Sequence, residues 1–317
     1  MKKNKKILVV GRAGLDLYAH PINTPIENAS QFTSQLGGSA ANIAAGLAIQ
    51  GNNVDLMSPI SNDSIGDFVI NSCKKIGINT LLLEKVSNLK NTLAIVDTMG
   101  DRTNAVLYRE KPADLFIDET FLKKVNLDSY LMIIVTGTSL SRNPSRNNVL
   151  KLMELAIKRK IEIVLDIDYR EGSWNDKKKA EKTLYSASLL SNIVVGNDLE
   201  FNIADNSIEG FQLAKSFINE KPSIIIYKMG EKGSTVITKE KEQNFGIFKV
   251  EAIKPTGAGD AFNGGFISSI IQGYSLEDSI KRGSANAAIV VTKVGCSSAM
   301  PNTDELENFI NQQTMEI

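Results

Sequence analysis

The sequence predicts an α/β fold: a layered sandwich with a mainly parallel central sheet and a small β lid. Three observations carry this prediction. Short β-branched runs alternate with amphipathic stretches, the runs are apolar almost throughout, and two stretches fit neither pattern. The strand candidates, in order, are Lys6–Val10, Leu131–Thr136, Glu162–Ile167, Ile193–Gly196 and Ser223–Tyr227. Near-continuous apolar runs of this length suit strands covered on both faces, the condition of a parallel sheet. The helices follow from the 3.6-residue period. In Asp63–Ile76 the apolar residues Ile65, Phe68, Val69, Cys73 and Ile76 form one stripe, and Gly77 supplies a stop. Ser39–Gln50, Ser145–Lys160, Asp176–Leu190, Gly259–Gln272 and Leu276–Val294 repeat the pattern, and strand–helix alternation of this kind implies a layered α/β sheet. The exceptions, about residues 16–33 and 92–109, lack helical periodicity; the second reads as two extended runs around the turn Met99-Gly100-Asp101. Both suit a β lid. With no internal repeat and no Pro/Gly-rich linker, residues 1–317 are expected to form a single domain carrying that lid.

Composition narrows the partners. Thirty-six Lys plus Arg balance 36 Asp plus Glu, so the net charge is zero over 317 residues. Nucleic-acid and anionic-membrane binders draw affinity from excess positive charge, so neither partner is expected. No apolar run approaches the roughly 18 residues of a membrane span, and the apolar run in MKKNKKILVV ends too early for a signal peptide. Cys73 and Cys296 make no disulfide framework, and the single histidine, His20, supports neither a Ser-His-Asp triad nor a multi-His metal site. The expectation is a cytoplasmic protein acting on a small molecule.

The strongest chemical signal is Pro255-Thr256-Gly257-Ala258-Gly259-Asp260-Ala261-Phe262. Small residues opening an amphipathic helix leave backbone N–H donors at the positive end of its dipole, a place that holds a phosphoryl group. Asp260, in the first turn, could accept a proton from an attacking hydroxyl. The same segment could be no more than a glycine turn with a favourable acidic first turn. Gly37-Gly38-Ser39-Ala40-Ala41-Asn42 is a second candidate: its glycines permit close approach, Ser39 can cap the following helix, and Asn42 can reach a sugar hydroxyl. A tightly packed helix start is the plainer alternative. Gly11-Arg12-Ala13-Gly14-Leu15-Asp16 is not a dinucleotide fingerprint, and G-x-x-x-x-G-K-[ST] does not occur.

In order along the chain, GRAGLDLY, GGSAAN, Asn62-Asp63 with Gly66, GNDLE at 196–200, KMGEKG at 228–233, GAGDAF and SANAAIVVTKVGC at 284–296 resemble the ribokinase/PfkB carbohydrate kinase family. The resemblance implies a ribokinase-like three-layer α/β/α sandwich that uses ATP and Mg²⁺. It also implies roles. Gly257, Ala258 and Gly259 would form the anion hole with Asp260 as base, and Asp16, Gly38 and Asn42 would hold sugar hydroxyls. Asn197 and Glu200 would position phosphate and Mg²⁺-bound water, Lys228, Gly230 and Gly233 would line the nucleotide phosphates, and Asn286 would wall the adenine pocket or pack helices.

Lys254 and Pro255 stand where most members have Asp-Thr, which puts the usual monovalent-cation site in question. That lysine, together with Tyr108-Arg109-Glu110, Ala113-Asp114-Leu115 and Asp166-Ile167-Asp168-Tyr169-Arg170 with Trp174, looks like a subgroup acting on a sugar acid. A carboxylate substrate needs a cation, best the planar fork of Arg. By the resemblance, Arg109 on the lid would take that carboxylate and Arg170 would face the transferred phosphate. Kinases of 2-keto-3-deoxygluconate, fructose or ribose, a nucleoside kinase, and a catalytically silent sugar-binding protein are the alternatives. A lid with an exposed sheet edge also invites a homodimer.

Overall fold

Lys6–Val10, Tyr130–Thr136, Glu162–Asp166, Ile193–Asn197 and Ile224–Lys228 run parallel in a computed structural model that describes residues 5–99, 104–204 and 209–316. The sheet runs from Lys6–Val10 through the strands starting at Tyr130, Glu162 and Ile193 to Ile224–Lys228. Val164 pairs with Ile134 on one side and Ile193 on the other. Leu8, Val9, Ile133, Val194 and Ile225 are fully buried, which is why these runs read as continuously apolar. Their C-terminal ends carry Asp166, Asn197 and Lys228, where ligands of parallel α/β sheets bind.

This sheet belongs to one of two units, made of the chain up to residue 11 and residues 115–246; residues 12–114 and 247–316 make the other. In the first unit the sheet continues beyond Ile224–Lys228 through antiparallel Ser234–Ile237 and Glu242–Phe245. The sequence reading does not anticipate this hairpin, because Glu242–Phe245 is an edge strand without an apolar run. The helices Ser145–Lys158 and Lys177–Leu190 fall where the periodicity places them, the latter started by Asp176, which accepts from the Lys178 and Lys179 amides. Gly210–Phe217 is an additional short helix.

In the second unit the two aperiodic stretches form a four-stranded sheet, ordered Gln31–Gly37, Gly14–His20, Leu93–Val96 and Ala105–Tyr108. Of the turn predicted at Met99-Gly100-Asp101, Gly100 and Asp101 lie outside the described residues. Helices Ser39–Ile49, Ala258–Gln272 and Leu276–Val291 build the core of this unit. Gly46 and Gly264 let the first two meet backbone to backbone: a Cβ on either would lie 3.2 Å from the other's Cα. Helix Ser64–Ile76 starts on Asp63, whose carboxylate accepts from the Ile65 and Gly66 amides, and stops at left-handed Gly77 as predicted. The cap of Ser39–Ile49 differs from expectation. Gly38, with φ 99°, is the N-cap without any side-chain bond, and Ser39 lies inside the helix. Among the described residues no helix is long and apolar enough to cross a membrane.

Candidate active site

In the second unit, helix Ala258–Gln272 opens on Gly257, which has φ 90° and provides no side-chain cap. This conformation favours glycine, and a Cβ would come 2.6 Å from Cys296 Sγ. An uncapped helix start leaves N–H donors for an anion, although the Ala258 N–H is engaged at 3.4 Å with the Pro255 carbonyl. Asp260 lies in the first turn, half-buried, and its Oδ2 accepts a 2.8 Å hydrogen bond from Asn42 Nδ2. Asn42 reaches it because Gly38 lets the chain pass tightly over the Arg12 carbonyl, where a Cβ would stand 2.4 Å from that oxygen. Asp16 fits against Gly37 in the same way; a Cβ there would lie 1.9 Å from the Asp16 carboxyl carbon.

Asp16, Gly38, Asn42 and the Gly257–Asp260 turn, well separated along the chain, therefore meet. Around them, Arg12 Nη1, Asp16 Oδ1 and Asn42 Oδ1 are buried without a hydrogen-bond partner. Unmatched buried polar atoms are costly, so such a cluster suits a ligand rich in hydroxyl groups. Burial raises the Asp16 pKa to about 6; Arg12 and Lys254 draw it down, and Asp260 pushes it up.

Sequence reasoning gives no site role to Arg12 or Cys296, and it marks Lys254 only as a departure at the cation position. Arg12 follows the first strand inside GRAGLDLY, shortly before Asp16, and that placement is its available signal. Lys254 is 1% exposed and donates to the Thr256 carbonyl at 2.7 Å. Cys296 packs under the glycine turn, its thiol 3.6 Å from the Gly257 carbonyl, and burial pushes that thiol well above its ordinary pKa.

Two of the expected residues in this unit are engaged with partners of their own. Arg109 is not an open fork on the lid: its side chain is 6% exposed and Nη2 binds Asp114 Oδ2 at 2.6 Å. Asp114 in turn accepts from Thr92 Oγ1 at 2.9 Å. Asn286 takes up the helix-packing arrangement, the second of the two roles expected for it. It is fully buried, donates to the Ala261 carbonyl at 2.6 Å and accepts from Gln50 Nε2 at 3.0 Å, so it ties helices together.

The first unit gathers the remaining candidates at the C-terminal ends of its strands. Asn197 and Glu200 bind each other reciprocally: Asn197 N donates to Glu200 Oε2 at 2.8 Å, and Glu200 N to Asn197 Oδ1 at 2.9 Å. Burial raises the Glu200 pKa, with Asp168 adding to the effect and Lys228 opposing it. Lys228 Nζ lies 3.8 Å from Asp166, and exposed Arg170 pairs with Asp168 through Nε at 3.1 Å. Asp168, at φ 35°, also accepts from Thr138 Oγ1 at 2.9 Å. Gly230 and Gly233 have positive φ for different reasons. A Cβ on Gly233 would strike the Phe245 carbonyl at 2.0 Å, whereas Gly230 faces open space, where a ligand can approach the backbone. Among the described residues no group of three or more acidic, His or Cys side chains forms a direct metal cage. Buried Glu200 near Asp168 and Lys228 instead fits Mg²⁺ held through water, since this ion keeps several waters and leans on substrate phosphates.

The sequence profile of the pfkB family carbohydrate kinases matches residues 4–303. The chain belongs to that family. It is 35% identical to the 5-dehydro-2-deoxygluconokinase of Photobacterium profundum over 317 residues, covering 98% of this chain and 96% of that protein. It is 32% identical to the 5-dehydro-2-deoxygluconokinase of Clostridium tetani, covering 99% and 95%. Among solved structures, a putative ribokinase II from E. coli in complex with ATP and Mg²⁺ superposes with a TM-score of 0.88 at 19% identity, over 97% of this chain and 99% of that one. The ribokinase-like α/β architecture expected from sequence is thus the observed one, and the chain is a carbohydrate kinase.

Proposed function

We propose that this kinase transfers the γ-phosphoryl group of ATP to the terminal hydroxyl of 5-dehydro-2-deoxy-D-gluconate, with Mg²⁺ as cofactor. The observation that carries the reading is the Asn42–Asp260 bond at the uncapped Gly257 helix start. It puts an oriented carboxylate beside donors suited to a phosphoryl group. The names of relatives at 35% and 32% identity support the acceptor.

In the transfer, the substrate hydroxyl oxygen forms a bond to the γ-phosphorus as the bond to the ADP oxygen breaks. Asp260 orients the hydroxyl and takes its proton late, since an ordinary carboxylate is too weak to ionise it beforehand. The Gly257, Ala258 and Gly259 backbone donors offset charge on the transferred oxygens. Asp16 and Asn42 hold the acceptor's other hydroxyls. The structure leads us to assign the carboxylate to Arg12, whose Nη1 lacks a partner beside Asp16, with Arg109 and Asp114 bracing the lid. In the first unit, Lys228, Gly230, Gly233 and Asn197 are proposed to hold the nucleotide phosphates, Arg170 to face the transferred group, and Glu200 to hold the waters of Mg²⁺. When bound, Mg²⁺ supplies charge neutralisation on the phosphates.

We further infer a homodimer. Edge strand Ala105–Tyr108 presents Val106, Leu107 and Tyr108 at 43%, 36% and 59% exposure, the kind of edge that pairs with another copy; light scattering of the purified protein tests it. We also infer a cytoplasmic location, which suits an ATP-consuming enzyme. A coupled ADP-release assay on 5-dehydro-2-deoxygluconate, beside 2-keto-3-deoxygluconate, fructose and ribose, tests the function. Preference for the first supports the reading, and preference for neutral sugars defeats it.

A further inference from the structure

Lys254 takes no part in the chemistry above, yet its side chain is among the most deeply buried in the protein, at 1% exposure. It closes the end of helix Leu276–Val291: its amide donates to the Val291 carbonyl at 3.3 Å and its Nζ to the Val290 carbonyl at 3.5 Å. The same ammonium donates to the Thr256 carbonyl at 2.7 Å and stands 5.9 Å from the centre of the Tyr18 ring. Burial lowers the lysine's pKa, and the carboxylates of Asp260 and Asp16 act against that. The helix end adds to them, because terminal carbonyls carry partial negative charge that favours a cation.

The bond to Thr256 has a geometric consequence. A peptide unit is planar, so the Thr256 carbonyl and the Gly257 N–H point in opposite directions from one rigid plate. Holding the oxygen therefore aims the N–H. Gly257 alone would leave that plate loose, since glycine restricts its own torsions least.

We propose that Lys254 is a positioning residue for phosphoryl transfer: it fixes the Thr256–Gly257 peptide plane, and its charge offsets the carboxylates of Asp16 and Asp260. The inference rests on the assignment of residues 257–260 as the transfer site. The groups facing Asp16 are Arg12 and Lys254, which favour its ionised form, and Asp260, which disfavours it; Tyr18 and Cys296 complete the surroundings. Without Lys254, Arg12 remains as the opposing cation and Asp16 becomes harder to ionise.

Two variants separate the tether from the charge. Lys254→Met removes both, whereas Lys254→Gln removes the charge and keeps a donor. Hydrogen exchange over residues 255–262 reads the loop, and ¹³C titration of the Asp16 carboxyl reads the charge. In Lys254→Met, exchange should quicken about tenfold, and the Asp16 midpoint should rise by about one pH unit. Its kcat should fall at least about tenfold, while KM for ATP stays within about twofold. Lys254→Gln should show near-normal exchange with the same raised midpoint, and it decides the charge effect alone should Lys254→Met not fold. Normal exchange and an unmoved midpoint in Lys254→Met overturn the proposal, as does an unmoved midpoint in Lys254→Gln. A wild-type protein inactive on every sugar acid defeats the functional reading instead, and exchange and titration still decide the role of Lys254.

Discussion

Asn42 Nδ2 donates to Asp260 Oδ2 at 2.8 Å across 218 residues of chain. This bond joins the start of one helix to the first turn of another and fixes the carboxylate that the mechanism needs. Asp260→Asn keeps the shape and removes the base, so kcat should fall at least about a hundredfold with the melting temperature unchanged. Asn42→Ala leaves the base present but less well aimed, and a smaller loss of about tenfold is expected in the same steady-state assay.

Gly257 combines φ 90° with a Cβ path blocked by Cys296 Sγ at 2.6 Å. Gly257→Ala should cost at least about tenfold in kcat, because the turn must open to fit the methyl group. The double variant with Cys296→Ala relieves the clash and leaves the backbone strain. Only partial recovery is therefore expected; full recovery would show that the left-handed conformation is unimportant.

Asp16 ties activity to stability through pH. Burial raises its pKa from 3.8 to about 6, so kcat/KM should fall as pH drops through about 6, where the carboxylate that accepts from substrate is lost. The stability effect has the opposite sense. A carboxyl with a raised folded-state pKa stabilises most below its unfolded value and loses that contribution as pH rises through about 6. At pH 7.5 the ionised group costs on the order of 3 kcal/mol. Asp16→Asn should accordingly raise the melting temperature at pH 7.5, with the gain fading toward pH 4, while nearly abolishing turnover.

The two arginines should part company. Arg12→Met should raise KM for the sugar acid at least about tenfold and make buried Asp16 harder to ionise, since Arg12 is one of the two cations facing it. Arg109→Met leaves Asp114 buried without its cation, and a loss of about 3–5 kcal/mol is the expected size for breaking such a pair. Chemical denaturation and substrate titration, run on both variants, distinguish binding from bracing.

Lys254 already places an ammonium under Thr256. Replacing potassium with tetramethylammonium in the assay should therefore leave kcat within about twofold; a strong potassium requirement would show that the built-in charge is not sufficient.

Much of this is legible in the chain because it depends on local pattern. The parallel strands announce themselves through residues such as Leu8–Val10 that are apolar on both faces, and Gly77 and Asp63 mark helix ends by their own chemistry. The glycine turn at 257–260 is legible for the same reason. What stays hidden depends on partners remote in sequence or on backbone atoms. Lys254 stands out in the sequence only as a departure from the family's Asp, because its partners, the Thr256 and Val290 carbonyls, have no side-chain signature. Asn286 stays open between pocket wall and helix packing because Gln50, which bonds it, lies 236 positions away. Arg109 is different: Asp114 stands five residues on, inside a motif that the sequence already singles out, so the pair can be weighed from sequence.

The central claim is phosphorylation of a sugar acid by this site, and ADP release with 5-dehydro-2-deoxygluconate against fructose and ribose tests it most directly. The predicted result is a kcat/KM at least about a hundredfold higher for the sugar acid, within the reach of one charged recognition pair, and lost in Asp260→Asn. Equal or better turnover of the neutral sugars, or turnover that survives Asp260→Asn, would contradict the account.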